Sequence, residues 1–250
     1  MDETIYKAFA GMYDALMADT PYEQWAAYIH GVFKQRLKNS GKNATILDLA
    51  CGTGNITLML AKKGYDMIAV DASADMLSEA RRKADEENLD VLFLNQDMIN
   101  LDLFGTVDGV TCVCDGLNYI LTEEGIGRVF ERVRLFLNPG GIFIFDMNTE
   151  YTFKESFGNQ RFQAEAPSGE SYVWDNLYHE EKKINEYTMN FFPLGNSEGI
   201  LEVHYQRAYP PGDIFNMLLA AGFRSVAIYD GYSHKPIHGE SGRITFIASI

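Results

Sequence analysis

The stretch ILDLACGTGNIT, residues 46–57, sets one acid among apolar residues and then runs into two glycines one residue apart. Ile46, Leu47 and Leu49 flank Asp48 in what reads as a buried strand over 45–49. Gly52 and Gly54 mark backbone that turns sharply or lets something approach closely. A helical pattern over 55–63, stopped by Gly64, follows the loop. A strand that passes through a glycine loop into a helix is the opening half of a βαβ unit.

Outward from this loop the same alternation repeats. Residues 66–71 (DMIAVD) read as a second strand and Ser73 to about Asn88 as a helix. Strands over 90–95 and 108–114 come next, with Asp97 just beyond the former. Thr122 is placed to cap a helix whose stripe is Ile126, Val129, Phe130, Val133 and Leu137. Asn138-Pro139-Gly140-Gly141 predicts a turn, and IFIFDM, 142–147, a fifth strand. Upstream, Thr20-Pro21-Tyr22-Glu23 predicts an N-cap, a first-turn proline and a capping-box acid, with Tyr22, Trp25, Ala26, Ile29 and Phe33 at helical spacing. Strands alternating with helices imply right-handed crossovers and a parallel sheet.

The alternation stops near Glu150. Residues 151–209 hold 12 of the 32 aromatic residues and show no helical period. SYVWDNLYH and INEYTMNFFP read as antiparallel strands. A helix from Pro211 to Ala221, closed by Gly222, and strands over 224–230 and 243–249 complete the chain. The expected division is a main α/β domain of 1–149 and 210–250, with 150–209 an antiparallel β insertion.

Composition narrows the functions. The 250 residues are 46% hydrophobic and can bury a sizeable core. The net charge of −14, without a run of Lys and Arg, argues against sequence-independent nucleic-acid binding. Within 150–209 there are 5 basic and 10 acidic residues, which argues against RNA in particular. No apolar run reaches the ~18 residues of a spanning helix, Met1-Asp2-Glu3 does not begin a secretory signal, and Cys51, Cys112 and Cys114 read as small buried thiols. A cytoplasmic protein without membrane partner is expected. His234 and His238 are four apart, but the intervening Lys-Pro-Ile rules out a regular helix, so no metal site is expected.

In an open parallel sheet, ligands sit beyond the carboxyl ends of the strands. Ala50 to Gly54 lies at such a place, and Asp71, 17 residues after Gly54, ends the second strand. A carboxylate there can accept both hydroxyls of a ribose. A nicotinamide-dependent dehydrogenase shares these features, but Thr57 stands at its third glycine position and Asp48 lies inside the strand. Asp97 is a second acid, suited to an adenine amino group.

This set resembles the class I S-adenosylmethionine-dependent methyltransferases. Their first motif is matched by Asp48-Leu49-Ala50-Cys51-Gly52-Thr53-Gly54, whose loop backbone, the resemblance implies, lies against the methionine part of the cofactor. It further implies Asp71, with Ala72 and Met76 nearby, on the ribose, and Gln96-Asp97-Met98 near the adenine. The implied fold is a Rossmann-like, doubly wound seven-stranded sheet whose last strand is antiparallel. Small-molecule members also carry stretches similar to Phe9-Ala10-Gly11-Met12-Tyr13-Asp14 and Asp115-Gly116-Leu117-Asn118-Tyr119.

Methyl transfer to a nitrogen or oxygen of a small molecule is therefore expected, in a monomer or homodimer. The alternatives are a cofactor-binding protein without transferase activity and a macromolecular acceptor. Tyr13 and Tyr119 are either core aromatics or contacts to the sulfonium charge. Asn118, polar between apolar residues, is expected in the site. Asp115, Tyr13 and His204 are the candidate bases. His204 shares a strand face with Glu202 and Gln206, which reads either as a solvated face or as a surface turned to substrate. Arg207 points the other way in a regular strand. The insertion, leaving the sheet at Asp146-Met147-Asn148, is expected to cover the transfer site.

Overall fold

The computed structural model describes residues 10–37, 43–165, 169, 171–192 and 199–250. Helices α1 (Ala10–Leu16) and α2 (Tyr22–Arg36) precede the sheet. The alternation then runs β1 (Thr45–Leu49), α3 (Asn55–Lys62), β2 (Asp66–Asp71), α4 (Ala74–Glu86), β3 (Val91–Asn95), β4 (Val107–Cys112), α5 (Glu123–Phe136) and β5 (Leu137–Asn148). After β6 (Arg161–Glu165), β7 (Ser171–His179), β8 (Ile184–Phe192) and β9 (Ile200–Arg207) come α6 (Pro211–Ala220), β10 (Ser225–Asp230) and β11 (Arg243–Ser249). Phe9 of the N-terminal motif and Met1-Asp2-Glu3 lie outside the described residues.

The main sheet has seven strands in the order β10-β11-β5-β4-β1-β2-β3. β1 pairs parallel with β2 and β4, and β11 runs antiparallel to β5 and β10, as the motif resemblance implies. Alternation along β5 shows how both faces are covered. Phe143, Phe145 and Met147 join Phe130 of α5 and Leu218 of α6 on one face, while Ile142 and Ile144 join Ile29 and Phe33 of α2 on the other. Sequential βα units force the strand order to reverse between β1 and β4, and the loops at their carboxyl ends open a crevice there.

Caps set the helix starts. Ser73 Oγ accepts the Met76 N–H at 3.3 Å, and Thr122 Oγ1 accepts the Gly125 N–H at 3.1 Å. Three boundaries differ from the sequence reading. α2 starts at Tyr22 after Pro21, with no side-chain cap, so Thr20 and Glu23 form no capping box. Leu137 belongs to β5, where it pairs with Val107 as extended backbone, and not to the α5 stripe. The Asn138-to-Gly141 segment is a bulge inside β5, because the register jumps from Val107↔Leu137 to Gly109↔Ile142.

β6 to β9 form a separate four-stranded antiparallel sheet in chain order. A π-helical turn, Thr152–Phe157, precedes this sheet. On β9, Glu202, His204 and Gln206 all point inward and are buried, which removes the reading of that face as solvated.

Candidate active site

The carboxyl ends of β1, β2, β3 and β4 surround a cavity of about 380 Å³. Its floor is the glycine loop. Ala50 and Gly52 are left-handed, with φ of 51° and 54°, and nothing lies within 4 Å of where a Cβ on Gly52 would stand. The open space over Gly52 is the close approach that the glycine permits.

Asp48 is buried beneath this loop. Its carboxylate accepts the hydroxyls of Thr57 at 2.5 Å and Thr111 at 2.7 Å. Burial pushes its pKa up to about 6, against the pull of those two hydrogen bonds. Asp71, at the end of β2, accepts the Gly52 N–H on one oxygen and the Ser73 N–H on the other, each at 2.8 Å. Burial raises its pKa as well, opposed by these backbone amides. Asp71 thus ties the loop after β1 to the start of α4.

Gln96, Asp97 and Met98 line the far end of the cavity. The Gln96 side chain is engaged by Asp102, donating to its carbonyl at 3.1 Å and accepting its N–H at 2.9 Å. Asp97 caps the short turn after it by accepting the Ile99 N–H at 3.0 Å. Asn95 donates to the carbonyls of Asp71 and Ala72, both at 2.9 Å, and holds the two strand ends in register.

The opposite wall carries Tyr13, Tyr22, Cys114 and Tyr119. Burial raises the Cys114 thiol to about 12, and Asp115 adds to the shift, so it is neutral at physiological pH. Cys51, also in the lining, is raised for the same first reason. α1 is fastened over the loop by Asp14, whose carboxylate meets Thr53 Oγ1 at 2.6 Å, Asn55 Nδ2 at 2.8 Å and Lys83 Nζ at 2.5 Å. The antiparallel sheet approaches from above. Tyr187, Met189 and Phe191 of β8 pack in one apolar cluster with Ala10, Met76, Tyr13 and Tyr119.

Of the residues singled out in the sequence, Tyr13, Asp48, Ala50, Cys51, Gly52, Asp71, Ala72, Met76, Gln96, Asp97, Met98 and Tyr119 line the cavity. Gly54, Asp115, Asn118 and His204 do not. Gly54 is the left-handed cap of α3, where a Cβ would stand 3.1 Å from that of Ala80. Asp115 is engaged on both oxygens, by Arg243 at 2.7 Å and Gln206 at 2.5 Å, which disfavours it as a base. Asn118 is fully buried and bridges the Asn148 and Arg207 backbones. His204 stands behind Tyr119, with Nδ1 at 3.4 Å from the phenol oxygen. Arg207 turns away, donating to Leu121 O and Glu123. His234 packs on Tyr28 and Tyr229, and His238 lies beside Asp230.

Asp14 belongs to the N-terminal motif but was given no role from sequence, and Tyr22, Asn55 and Lys83, which have no motif of their own, were missed as site residues. The aromatic-acid order Tyr13-Asp14 was the one available signal, since its acid is the group that reaches the glycine loop.

These residues fit S-adenosylmethionine. A deep carboxylate at the end of β2, an open space over Gly52 and a cavity of this size suit a nucleoside joined to an amino acid. Residues 46–141 match the family described as methyltransferase domain. The chain is 34% identical, over 98% of its length and 96% of the relative's, to YqeM of Bacillus subtilis (strain 168), provisionally named a methyltransferase. It is 27% identical over 65% of its length, and 64% of the relative's, to a glycine/sarcosine N-methyltransferase of Halorhodospira halochloris. A crystal structure of an S-adenosylmethionine-dependent methyltransferase from Clostridium acetobutylicum ATCC 824 superposes with a TM-score of 0.86, at 32% identity and 98% coverage of both chains.

The chain belongs to the class I S-adenosylmethionine-dependent methyltransferases. It is an enzyme of that class, with S-adenosylmethionine as its cofactor.

Proposed function

We propose that the chain methylates a nitrogen or oxygen of a small molecule. The observation that carries this reading is the packing of the antiparallel sheet on one cavity wall. Tyr187, Met189 and Phe191 back the wall at Tyr13 and Tyr119 in one apolar cluster, and a partly apolar wall of this kind suits a small acceptor. The amine acceptor in the name of the Halorhodospira relative supports the same class. Net charge of −14 speaks against a nucleic-acid acceptor.

Bound S-adenosylmethionine supplies a methyl group on an electron-poor sulfur. In this reading Asp71 holds the ribose hydroxyls, Asp97 faces the adenine, and the Gly52 backbone admits the methionine part. Tyr13 and Tyr119 present aromatic faces to positive charge. The main domain, 1–149 and 210–250, binds the cofactor, and 150–209 excludes water from the acceptor side. Placement of the acceptor supplies much of the acceleration.

The test is to incubate the full chain with methyl-labelled cofactor and, separately, sarcosine, an amino-sugar nucleotide, a catechol, bulk tRNA and duplex DNA. Label in an amine or hydroxyl compound, with S-adenosylhomocysteine formed in step, is the expected result. Label in tRNA or DNA alone would overturn the reading.

A further inference from the structure

Behind the cavity wall lies a line of polar side chains that cofactor binding does not use. Glu202 and His204 project inward from β9, and both are buried, His204 completely. Glu202 Oε2 is 3.2 Å from His204 Nε2, and His204 Nδ1 is 3.4 Å from the Tyr119 hydroxyl. The imidazole is stacked on the Tyr187 ring at 5.1 Å, with 9° between the planes, and this stacking constrains the plane of the ring. Tyr187 also shares a hydrogen bond with the Tyr119 hydroxyl.

An ionised Glu202 can only accept, and Nε2 then carries the hydrogen between them. In the neutral ring Nδ1 is then the acceptor, and Tyr119 donates to it. With the Tyr119 hydrogen directed at Nδ1, the Tyr187 hydroxyl, which burial keeps protonated, is left to donate to the Tyr119 oxygen. Tyr119 is the member of this line that stands in the cavity wall.

We propose that Tyr119, His204 and Glu202 form a proton relay that takes the proton released by the methyl acceptor. It rests on the reading of the acceptor atom as nitrogen or oxygen. Tyr119 is the catalytic residue, and His204 and Glu202 are positioning residues acting through it. An ammonium N–H or hydroxyl O–H proton of the acceptor passes to the Tyr119 oxygen as the phenol's own proton passes to His204 Nδ1. The electron pair left on that nitrogen or oxygen forms the bond to the methyl carbon, and the carbon–sulfur pair stays on sulfur. One positive charge is lost at sulfur and one appears on the imidazole, beside the Glu202 carboxylate. The 3.4 Å contact is long for a hydrogen bond and shortens when the acceptor seats. Among the described residues, the ionisable groups facing the imidazole include Tyr119 from the turn after β4, Tyr187 from β8 and Glu202 from β9.

The first measurement needs no acceptor. Nitrogen-15 correlation spectra of the full chain with S-adenosylhomocysteine are expected to show His204 neutral and protonated on Nε2. A proton on Nδ1, or an imidazolium, would overturn the relay. The second uses the amine or hydroxyl probe that the wild-type protein methylates. Tyr119→Phe and His204→Gln are expected to lower kcat roughly 100-fold, with KM and cofactor affinity within about threefold of wild type. Retained cofactor affinity shows that each variant is folded. Transfer by both variants at the wild-type kcat overturns the relay while leaving the proposed function intact. A wild-type protein that binds cofactor and methylates no amine or hydroxyl probe overturns both.

Discussion

Arg243 on β11 and Asp115 in the turn after β4, 128 residues apart in the chain, meet at 2.7 Å, and the same guanidinium reaches Asp146 of β5 at 2.6 Å. Asp146 is fully buried and also accepts the Asp115 N–H and the Tyr232 hydroxyl, both at 2.8 Å. Burial works against the Arg243 charge, but the two carboxylates overcome it and hold its pKa well above the usual arginine range. Cys114 and Asp115 both have positive φ, so this network fixes a strained turn that forms part of the cavity wall.

Removing the cation should therefore be costly. Arg243→Ala leaves two carboxylates facing each other without a counter-charge. A loss of ~3–5 kcal/mol in urea unfolding is expected. A loss below about 1 kcal/mol would mean that the network does not hold the turn.

Asp48 should make stability depend on pH. Its folded pKa of about 6 lies above the ordinary 3.8, so its contribution is complete below about pH 4 and lost as the pH rises through about 6. Asp48→Asn removes this titration. The variant should gain ~3 kcal/mol relative to wild type between pH 4 and 7. Parallel stability curves for the two proteins would show that Asp48 has an ordinary pKa.

Asp71→Ala should weaken S-adenosylmethionine binding tenfold or more. In the proposed binding mode Asp71 makes two charge-assisted hydrogen bonds to ribose hydroxyls, each worth ~1.5 kcal/mol, which sets that size. The Gly52 and Ser73 amides also lose their acceptor, which loosens the floor of the cavity. Calorimetry showing an unchanged Kd removes Asp71 from the site.

The two loop glycines should separate by readout. At Gly52 a Cβ meets no protein atom but enters the cavity, so Gly52→Ala should lower cofactor affinity tenfold or more at a stability cost of ~1–2 kcal/mol. At Gly54 the Cβ meets Ala80 at 3.1 Å, so Gly54→Ala should act on stability first by displacing α4. Equal effects of the two substitutions on affinity would contradict this division.

Asp14 should slow cofactor release. Burial opposes its charge, but hydrogen bonds from Lys83, Thr53 and Asn55 hold its pKa below 3.8, so the clasp is complete above that pH and opens as the pH falls through the lowered value. Asp14→Ala should raise the cofactor dissociation rate at pH 7.5, measured by stopped flow. An unchanged rate would show that α1 does not retain the cofactor.

The sequence by itself determined the sheet, because its parallel strands are buried on both faces and their signal is local. Ile46 to Leu49 with Gly52, Gly54 and Asp71 defines a strand, a loop and the acid at the next strand end, all within 26 residues. The part of the cavity lining at the strand ends followed, since residues at adjacent carboxyl ends of a parallel sheet must lie together, whereas Tyr22 and Asn55 did not. Where His204, Asp115 and Asn118 lie and what they touch was decided by tertiary structure alone. An alternating Glu202-His204-Gln206 pattern defines a shared face but not what covers it, and β9 turns that face onto Tyr119 and Asp115. Likewise, nothing local to Asp115 announces Arg243, because partners of a buried charge are chosen by packing across the sheet and not by spacing along the chain.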